Sequence, residues 1–81
     1  MQTQQALAYD LFVEAHSLYT GKSPETIKAE IDPDHFEARI RALHHQYMTG
    51  QFSFGRFTEL AEVAHLELRE ILAALNLPLH N

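Results

Sequence analysis

Residues 50–77 read GQFSFGRFTELAEVAHLELREILAALNL, and the spacing of the apolar residues in this stretch predicts two short helices. Ser53 can cap the first helix, and Pro78 ends the second. Both helices repeat apolar residues every three or four positions, which leaves a turn of about three residues between them. The predicted apolar positions are Phe54, Phe57, Leu60 and Ala61, then Leu68, Ile71, Leu72 and Leu75.

Three further helices are predicted upstream of this stretch. The first ends at Gly21, because glycine readily adopts the left-handed conformation that closes a helix. Ser23 and the proline after it start a segment of about two turns, and Asp32 and its proline start a longer helix that Gly50 ends. The stripes are Leu7, Leu11, Ala15 and Leu18, widened by Ala8, Phe12 and Tyr19; Ile27 and Ile31; and Phe36, Ile40, Leu43 and Tyr47.

Together these signals predict an all-α fold, a compact bundle of about five helices in one domain of residues 1–81. Connections of about two to four residues are expected, which leave no room for a second domain. The alternation of polar and apolar residues at 51–54 is too short to indicate a strand. We expect the stripes to form one core in which Leu43 packs with Leu11, Leu60, Leu68 and Leu72.

Composition narrows the classes of function. The chain has 81 residues, of which 46% are hydrophobic and 21% charged, so it should fold, although a core this small favours self-association. The absence of cysteine excludes disulfides and thiolate chemistry. The first ten residues lack the basic start of a signal peptide, and no apolar run approaches the ~20 residues of a membrane span. We therefore expect a cytoplasmic protein that does not enter a membrane.

The two C-terminal helices have the pattern of a helix-turn-helix, which usually presents its second helix to a macromolecule. From residue 52 onward, however, two arginines oppose four glutamates, and the whole chain carries a formal charge of −5. DNA affinity comes mainly from basic residues, so a tight monomeric DNA binder is not expected. A dimer could still gather Arg39, Arg41 and Arg56 of two chains on one surface. Protein binding and DNA binding both remain open.

Several residues of this stretch also match a family pattern. They are Gly50, Ser53, Gly55, the run Glu59-Leu60-Ala61, Glu67, and the apolar positions Leu66, Leu68, Ile71 and Leu72. In these positions the chain resembles a family of small prokaryotic antitoxins that are often encoded beside PIN-domain ribonuclease toxins. The resemblance covers about a third of the chain. It implies a helix-turn-helix that binds DNA or helps a dimeric antitoxin assemble, neutralises a partner toxin and represses its own operon.

Three positions depart from the family pattern. Glu62 stands where glycine is common, so a left-handed backbone there would be strained. Ala64 stands where a serine would cap the second helix, a loss of about 1 kcal/mol. Phe57 stands where a small alanine lets the two helices approach, which should separate them or open their angle. The turn is therefore expected either to differ from that of the family or to be strained.

DNA binding and protein binding would use different residues of the chain. If the helix pair binds DNA, Arg56 and Arg69 should contact it, with His65 near the helix start as a further donor. A homodimer is the expected state, and a protein partner such as a toxin is a further possibility. The surface predicted for a second copy or a partner consists of Phe12, Tyr19, Phe52, Phe54 and Phe57. The alternative is that Phe52 forms a hydrophobic staple and the other rings fill the core.

The remaining polar residues indicate no chemistry. His44 and His45 are adjacent, so on a helix they project about 100° apart and cannot share a metal as an i, i+4 pair can. His16 and His35 have no histidine four residues later, although a site between helices stays open. No glycine-rich phosphate loop or His-Glu-x-x-His run is present. We expect no metal, no cofactor and no catalytic residue, and hence a binding protein rather than an enzyme.

Overall fold

The computed structural model describes residues 3–79, and within them the chain forms five α-helices and no β-strand. The predicted all-α class is therefore confirmed, and the predicted domain of residues 1–81 extends two residues beyond this range at each end. The helices are α1 (Gln4–Thr20), α2 (Pro24–Glu30), α3 (Pro33–Met48), α4 (Phe54–Ala61) and α5 (His65–Ala74).

Side-chain caps encoded in the sequence begin four of these helices. The oxygens of Thr3, Ser23, Asp32 and Ser53 each accept a hydrogen bond from the backbone N–H three residues later, at 2.7–3.2 Å. Each bond satisfies an amide that has no partner inside its helix. The caps predicted at Ser23, Asp32 and Ser53 are confirmed, and Thr3 is an additional one.

The connection between α3 and α4 has five residues, 49–53, and exceeds the predicted limit of four. Gly50 turns the chain with a φ of 81°, which glycine adopts without a Cβ clash. Phe52 then packs on Phe57, with ring centroids 6.1 Å apart. Phe52 precedes the cap Ser53 and Phe57 is the fourth residue of α4, so the pair forms the predicted hydrophobic staple. The extra length accommodates both the glycine turn and the staple.

The core is built around α1, which packs against α2, α3 and α5, while α4 packs against α3 and α5. Aromatic rings fill much of its centre. The Phe36 ring lies between the rings of Tyr9 and Phe12, with centroid distances of 5.7 and 4.8 Å. Predicted core residues that are buried are Ile27, Phe36, Ile40, Tyr47, Phe57, Ala61, Leu68, Ile71, Leu72 and Leu75.

The face that α1 turns to the core differs from the predicted stripe. Leu18 is 79% exposed and Leu7 is 44% exposed, and Leu11 is only partly buried. The buried residues are Ala8, Tyr9, Phe12, Val13, Ala15 and His16. Apolar residues occur on nearly every side of α1, so their spacing fits two stripes almost equally well. Because α1 contacts three other helices, the broader of the two stripes is the one that is buried, and this stripe includes His16.

Leu43 and Leu60 are also less buried than predicted, since both are only partly covered. In α3 the buried position next to Leu43 is taken by His44. The ring of His44 reaches the segment after α5, where its Nε2 lies 2.7 Å from the carbonyl oxygen of Pro78. The helical spacing does not reveal this long-range bond, which joins α3 to the segment after α5.

The polar side chains of Tyr9, His16 and His44 bind segments that connect or follow helices. We refer to these three side chains as the three tethers. Each is buried and lies within hydrogen-bond distance of a backbone carbonyl far away in the sequence. Because a carbonyl oxygen only accepts, the bonded ring nitrogen of each histidine must carry the hydrogen. The three pairs are Tyr9 with Ile31, His16 with Glu62 and His44 with Pro78, at 2.5, 3.1 and 2.7 Å.

The Tyr9 tether keeps its proton. Burial raises the pKa of the Tyr9 phenol above its ordinary value of 10.0, and the carboxylates of Asp32 and Asp10 raise it further. Both effects disfavour the phenolate, because it would be poorly solvated and close to negative charge. The hydroxyl therefore remains available as the donor that holds the turn between α2 and α3.

Candidate functional site

The turn between α4 and α5 has the predicted three residues, 62–64, and contains a strained backbone conformation. Glu62 has φ 57° and ψ 50°, in the left-handed region. This conformation costs a residue with a Cβ about 1–2 kcal/mol. Of the two outcomes expected for Glu62, a different turn or a strained one, the structure contains the strained turn.

His16 of α1 supports this turn. Its Nδ1 donates to the Glu62 carbonyl oxygen at 3.1 Å, and its Nε2 lies 3.7 Å from the carboxylate of the same residue. Val63 is fully buried and anchors the middle of the turn. Ala64 provides no side-chain cap for α5, as predicted. The turn is thus held by contacts with α1 and the core and not by a glycine or a serine of its own.

Two of the five aromatic residues predicted for a partner surface are core residues instead. Phe12 is 5% exposed and Phe57 is 0% exposed, because each fills space between helices of the same chain. Neither ring is available to a second protein. Phe52 and Phe54 are partly buried, and Tyr19 is half exposed. Only these three remain accessible in part.

Phe54 is a partly buried ring of an aromatic cluster at the start of α4. Its centroid is 5.6 Å from that of Tyr47 and 6.1 Å from that of Phe57. On its outer side the His65 ring lies 5.4 Å away, and the Arg69 guanidinium carbon lies 5.9 Å from the ring centre. We call Phe54, His65 and Arg69 the Phe54 corner. It joins the first turn of α4 to the first two turns of α5.

The Phe54 corner brings together two of the three residues predicted to contact DNA. His65 and Arg69 are four residues apart on α5 and therefore share a face of the helix. Arg56, the third, pairs with Glu59 on α4 at 4.0 Å. Leu66 lies on the first turn of α5 and is 71% exposed. Its exposure agrees with the helical spacing, because Leu66 lies off the predicted stripe of Leu68, Ile71, Leu72 and Leu75, although the predicted partner surface does not include it.

Neither a metal site nor a membrane span is found in the described part of the chain. Across residues 3–79, no three histidine, aspartate or glutamate side chains are grouped so that they could hold a metal ion. No helix in this range is both long and apolar enough to cross a bilayer. The features that stand out are the Phe54 corner with Leu66 and the exposed leucines of α1.

Comparison with known proteins does not add to this description. The chain matches no protein-family model, no curated protein and no solved structure. Its surfaces are therefore the basis for a functional proposal.

Proposed function

We propose that this chain is a non-catalytic protein-binding module that acts in the cytoplasm as a homodimer, with the Phe54 corner and Leu66 at the contact between chains. The observation that carries the proposal is a phenylalanine ring, half-buried beneath Arg69, together with Leu66, which lies three residues before that arginine on α5 and is 71% exposed. Phenylalanine and arginine are enriched in protein interfaces. Burial of the exposed leucine by another chain would stabilise the contact, because it removes apolar surface from water.

Charge favours a protein over DNA as the occupant of this surface. α4, α5 and their turn contain Arg56 and Arg69 against Glu59, Glu62, Glu67 and Glu70. A surface with this balance gains little from the release of phosphate counterions. Mixed charges of this kind instead suit a protein surface that carries both signs.

A second copy of the chain is a protein surface that carries both signs of charge. Arg69 lies between Glu67 and Glu70 in the sequence of α5, so the helix carries both signs within one turn. A two-fold axis beside α5 would bring the arginine of one chain near a glutamate of the other. The contact would then be self-complementary, with Leu66 of each chain at its apolar centre.

Leu66→Asp is expected to dissociate the homodimer. Sedimentation of the unaltered chain at micromolar concentration should give about twice the 9.3 kDa chain mass. The variant should give the mass of one chain, because a buried carboxylate at the contact would be unpaired. Circular dichroism should show an unchanged helix content, since Leu66 is exposed in the single chain.

Leu18→Asp is the matched control, because Leu18 is similarly exposed but lies on α1. It should leave the dimer mass unchanged. A monomeric unaltered chain, or a dimer that survives Leu66→Asp, would refute the proposed contact.

DNA binding is the second candidate function, and the pairing of His65 with Arg69 around Phe54 favours it. Both residues can donate to phosphates from the start of a helix that corresponds to the second helix of a helix-turn-helix. The resemblance to antitoxins supports the same function and adds a toxin as the protein partner. A PIN-domain toxin gene beside the gene of this chain would strengthen the antitoxin alternative.

Titration with duplex DNA distinguishes the two functions. We expect fluorescence anisotropy of a labelled duplex from the region upstream of the gene to show no binding at low salt, given the acidic balance of the helix pair. The comparison variant is Arg56→Ala combined with Arg69→Ala. Binding that weakens as salt is added and disappears in this variant would replace the protein-binding proposal with the DNA-binding one.

A further inference from the structure

The outward side of α1 carries a stripe of leucines that residues 3–79 cover only in part. Leu7, Leu11, Glu14 and Leu18 are spaced by four, three and four residues, so they lie within about 60° of one another around the helix. Leu7 and Leu18 are exposed, and Leu11 is only partly buried. These leucines have the spacing of a helix face that packs against another helix.

A groove between α1 and α5 runs beside this stripe. Leu11, Ala15 and Leu18 of α1 line one side, and Glu67 and Glu70 of α5 line the other. Its volume of about 140 Å³ is well below the ~300–1,000 Å³ of pockets that enclose small ligands. The groove therefore suits side chains that project from a macromolecule.

The groove has one sign of charge. Glu14 lines it together with Glu67 and Glu70, and within residues 3–79 none of the three carboxylates lies within 4.0 Å of a basic side chain. Lys28 lines the adjoining cleft on the α2 side of α1, which shares Glu14 and Leu18 with the groove, but Lys28 does not line the groove itself. Three carboxylates thus flank apolar positions without an ion-pair partner among residues 3–79.

The negative charge of the groove limits which class of partner can bind there. A contact between the grooves of two copies of the chain would bring three carboxylates against three others, and nucleic acid would add further negative charge. A helix with leucine-like residues on one face and lysines or arginines beside them complements both features of the groove. We propose that the groove between α1 and α5 binds a basic amphipathic helix of a partner protein. The inference rests on the proposed function, because it specifies the chemistry of a protein partner.

A synthetic peptide tests the inference directly. The probe is a fluorescein-labelled helix of 17 residues, the length of α1, with leucines at i, i+3, i+4 and i+7 and lysines on the flanking positions. Two matched peptides serve as controls: a scrambled sequence of the same composition, and the same pattern with glutamate in place of lysine. Fluorescence anisotropy should show micromolar binding of the probe, at least about tenfold weaker binding of the scrambled peptide and none of the acidic one.

Variants of the chain identify the surface. Leu18→Asp and the triple change Glu14→Lys, Glu67→Lys, Glu70→Lys should each weaken probe binding by at least about tenfold, since one removes an apolar contact and the other reverses the charge. Glu25→Lys reverses an exposed carboxylate on α2 that does not line the groove and should leave the affinity unchanged. Equal affinity for the probe and the scrambled peptide, absence of binding, or no effect of Leu18→Asp would overturn the inference.

The same variants separate this inference from the proposed dimer. Leu66→Asp should dissociate the chains and keep the affinity for the probe, whereas Leu18→Asp should lower that affinity and keep the dimer. If only the dimer test fails, the binding of a basic helix in the groove is still decided by the groove variants. If Leu18→Asp instead dissociates a dimer, the groove is covered by a second copy, and the proposed basic partner is wrong.

Discussion

Phe36→Ala is expected to lower the free energy of unfolding by about 3–5 kcal/mol. Phe36 is 1% exposed, and its ring contacts those of Tyr9 and Phe12 from α1. The substitution removes apolar contacts on both sides and leaves a cavity between α1 and α3 that rigid helices can only partly close. An 81-residue domain has a total stability of about 4–12 kcal/mol, so this single change removes a large share of it.

Denaturation in urea, followed by far-ultraviolet circular dichroism, measures this loss. Leu18→Ala is the control, because it removes a comparable apolar side chain from a position that is 79% exposed. It should change stability by no more than about 0.5 kcal/mol. A similar small effect for Phe36→Ala would show that the ring is not packed between α1 and α3.

His16→Ala is expected to cost about 2–4 kcal/mol, a large effect for a polar residue. Three lost interactions contribute to this decrease in the free energy of unfolding. The Glu62 carbonyl loses its hydrogen bond, the turn loses support for its strained backbone, and the Phe12 ring loses a stacked neighbour whose centroid is 4.9 Å away. The lost bond is the main term, because it is shielded in part from water and its acceptor loses the partner that His16 provides in the turn.

Two further substitutions make the prediction specific. His45→Ala alters an exposed histidine and should change stability by no more than about 0.5 kcal/mol. His16→Gln keeps a donor on a side chain of similar length and should recover part of the loss. The same urea titration measures all three variants. If His16→Ala and His45→Ala have equal effects, the bond to Glu62 contributes nothing to stability.

Local signals explain why most of the helices could be predicted from sequence. Ser23, Asp32 and Ser53 act on amides three residues away, so the information needed to place these helix starts lies within the same few residues. Gly21 ends α1 in the same local way, with a φ of 79°. The face of α1 could not be predicted similarly, because its burial depends on three other helices.

The candidate site shows the same division. Phe52 could be predicted as a staple because its partner Phe57 is five residues away. The tethers of His16 and His44 join residues 46 and 34 positions apart, and helical spacing contains no signal for such pairs. Val63 is a lone apolar residue in a turn, so no stripe marks it as buried. Leu66 is different, because it lies off the stripe of Leu68, Ile71, Leu72 and Leu75, and its exposure could therefore be predicted from the helical spacing.

The support of the α4–α5 turn by His16 has an evolutionary consequence. A turn whose geometry is maintained from another helix is released from the usual requirement for glycine, so its own residues can diverge while the backbone path persists. Selection should then act jointly on positions 16 and 62. Among homologues of this chain, we expect a non-glycine residue at position 62 to accompany a hydrogen-bond donor at position 16, and glycine at position 62 to accompany relaxed variation at position 16.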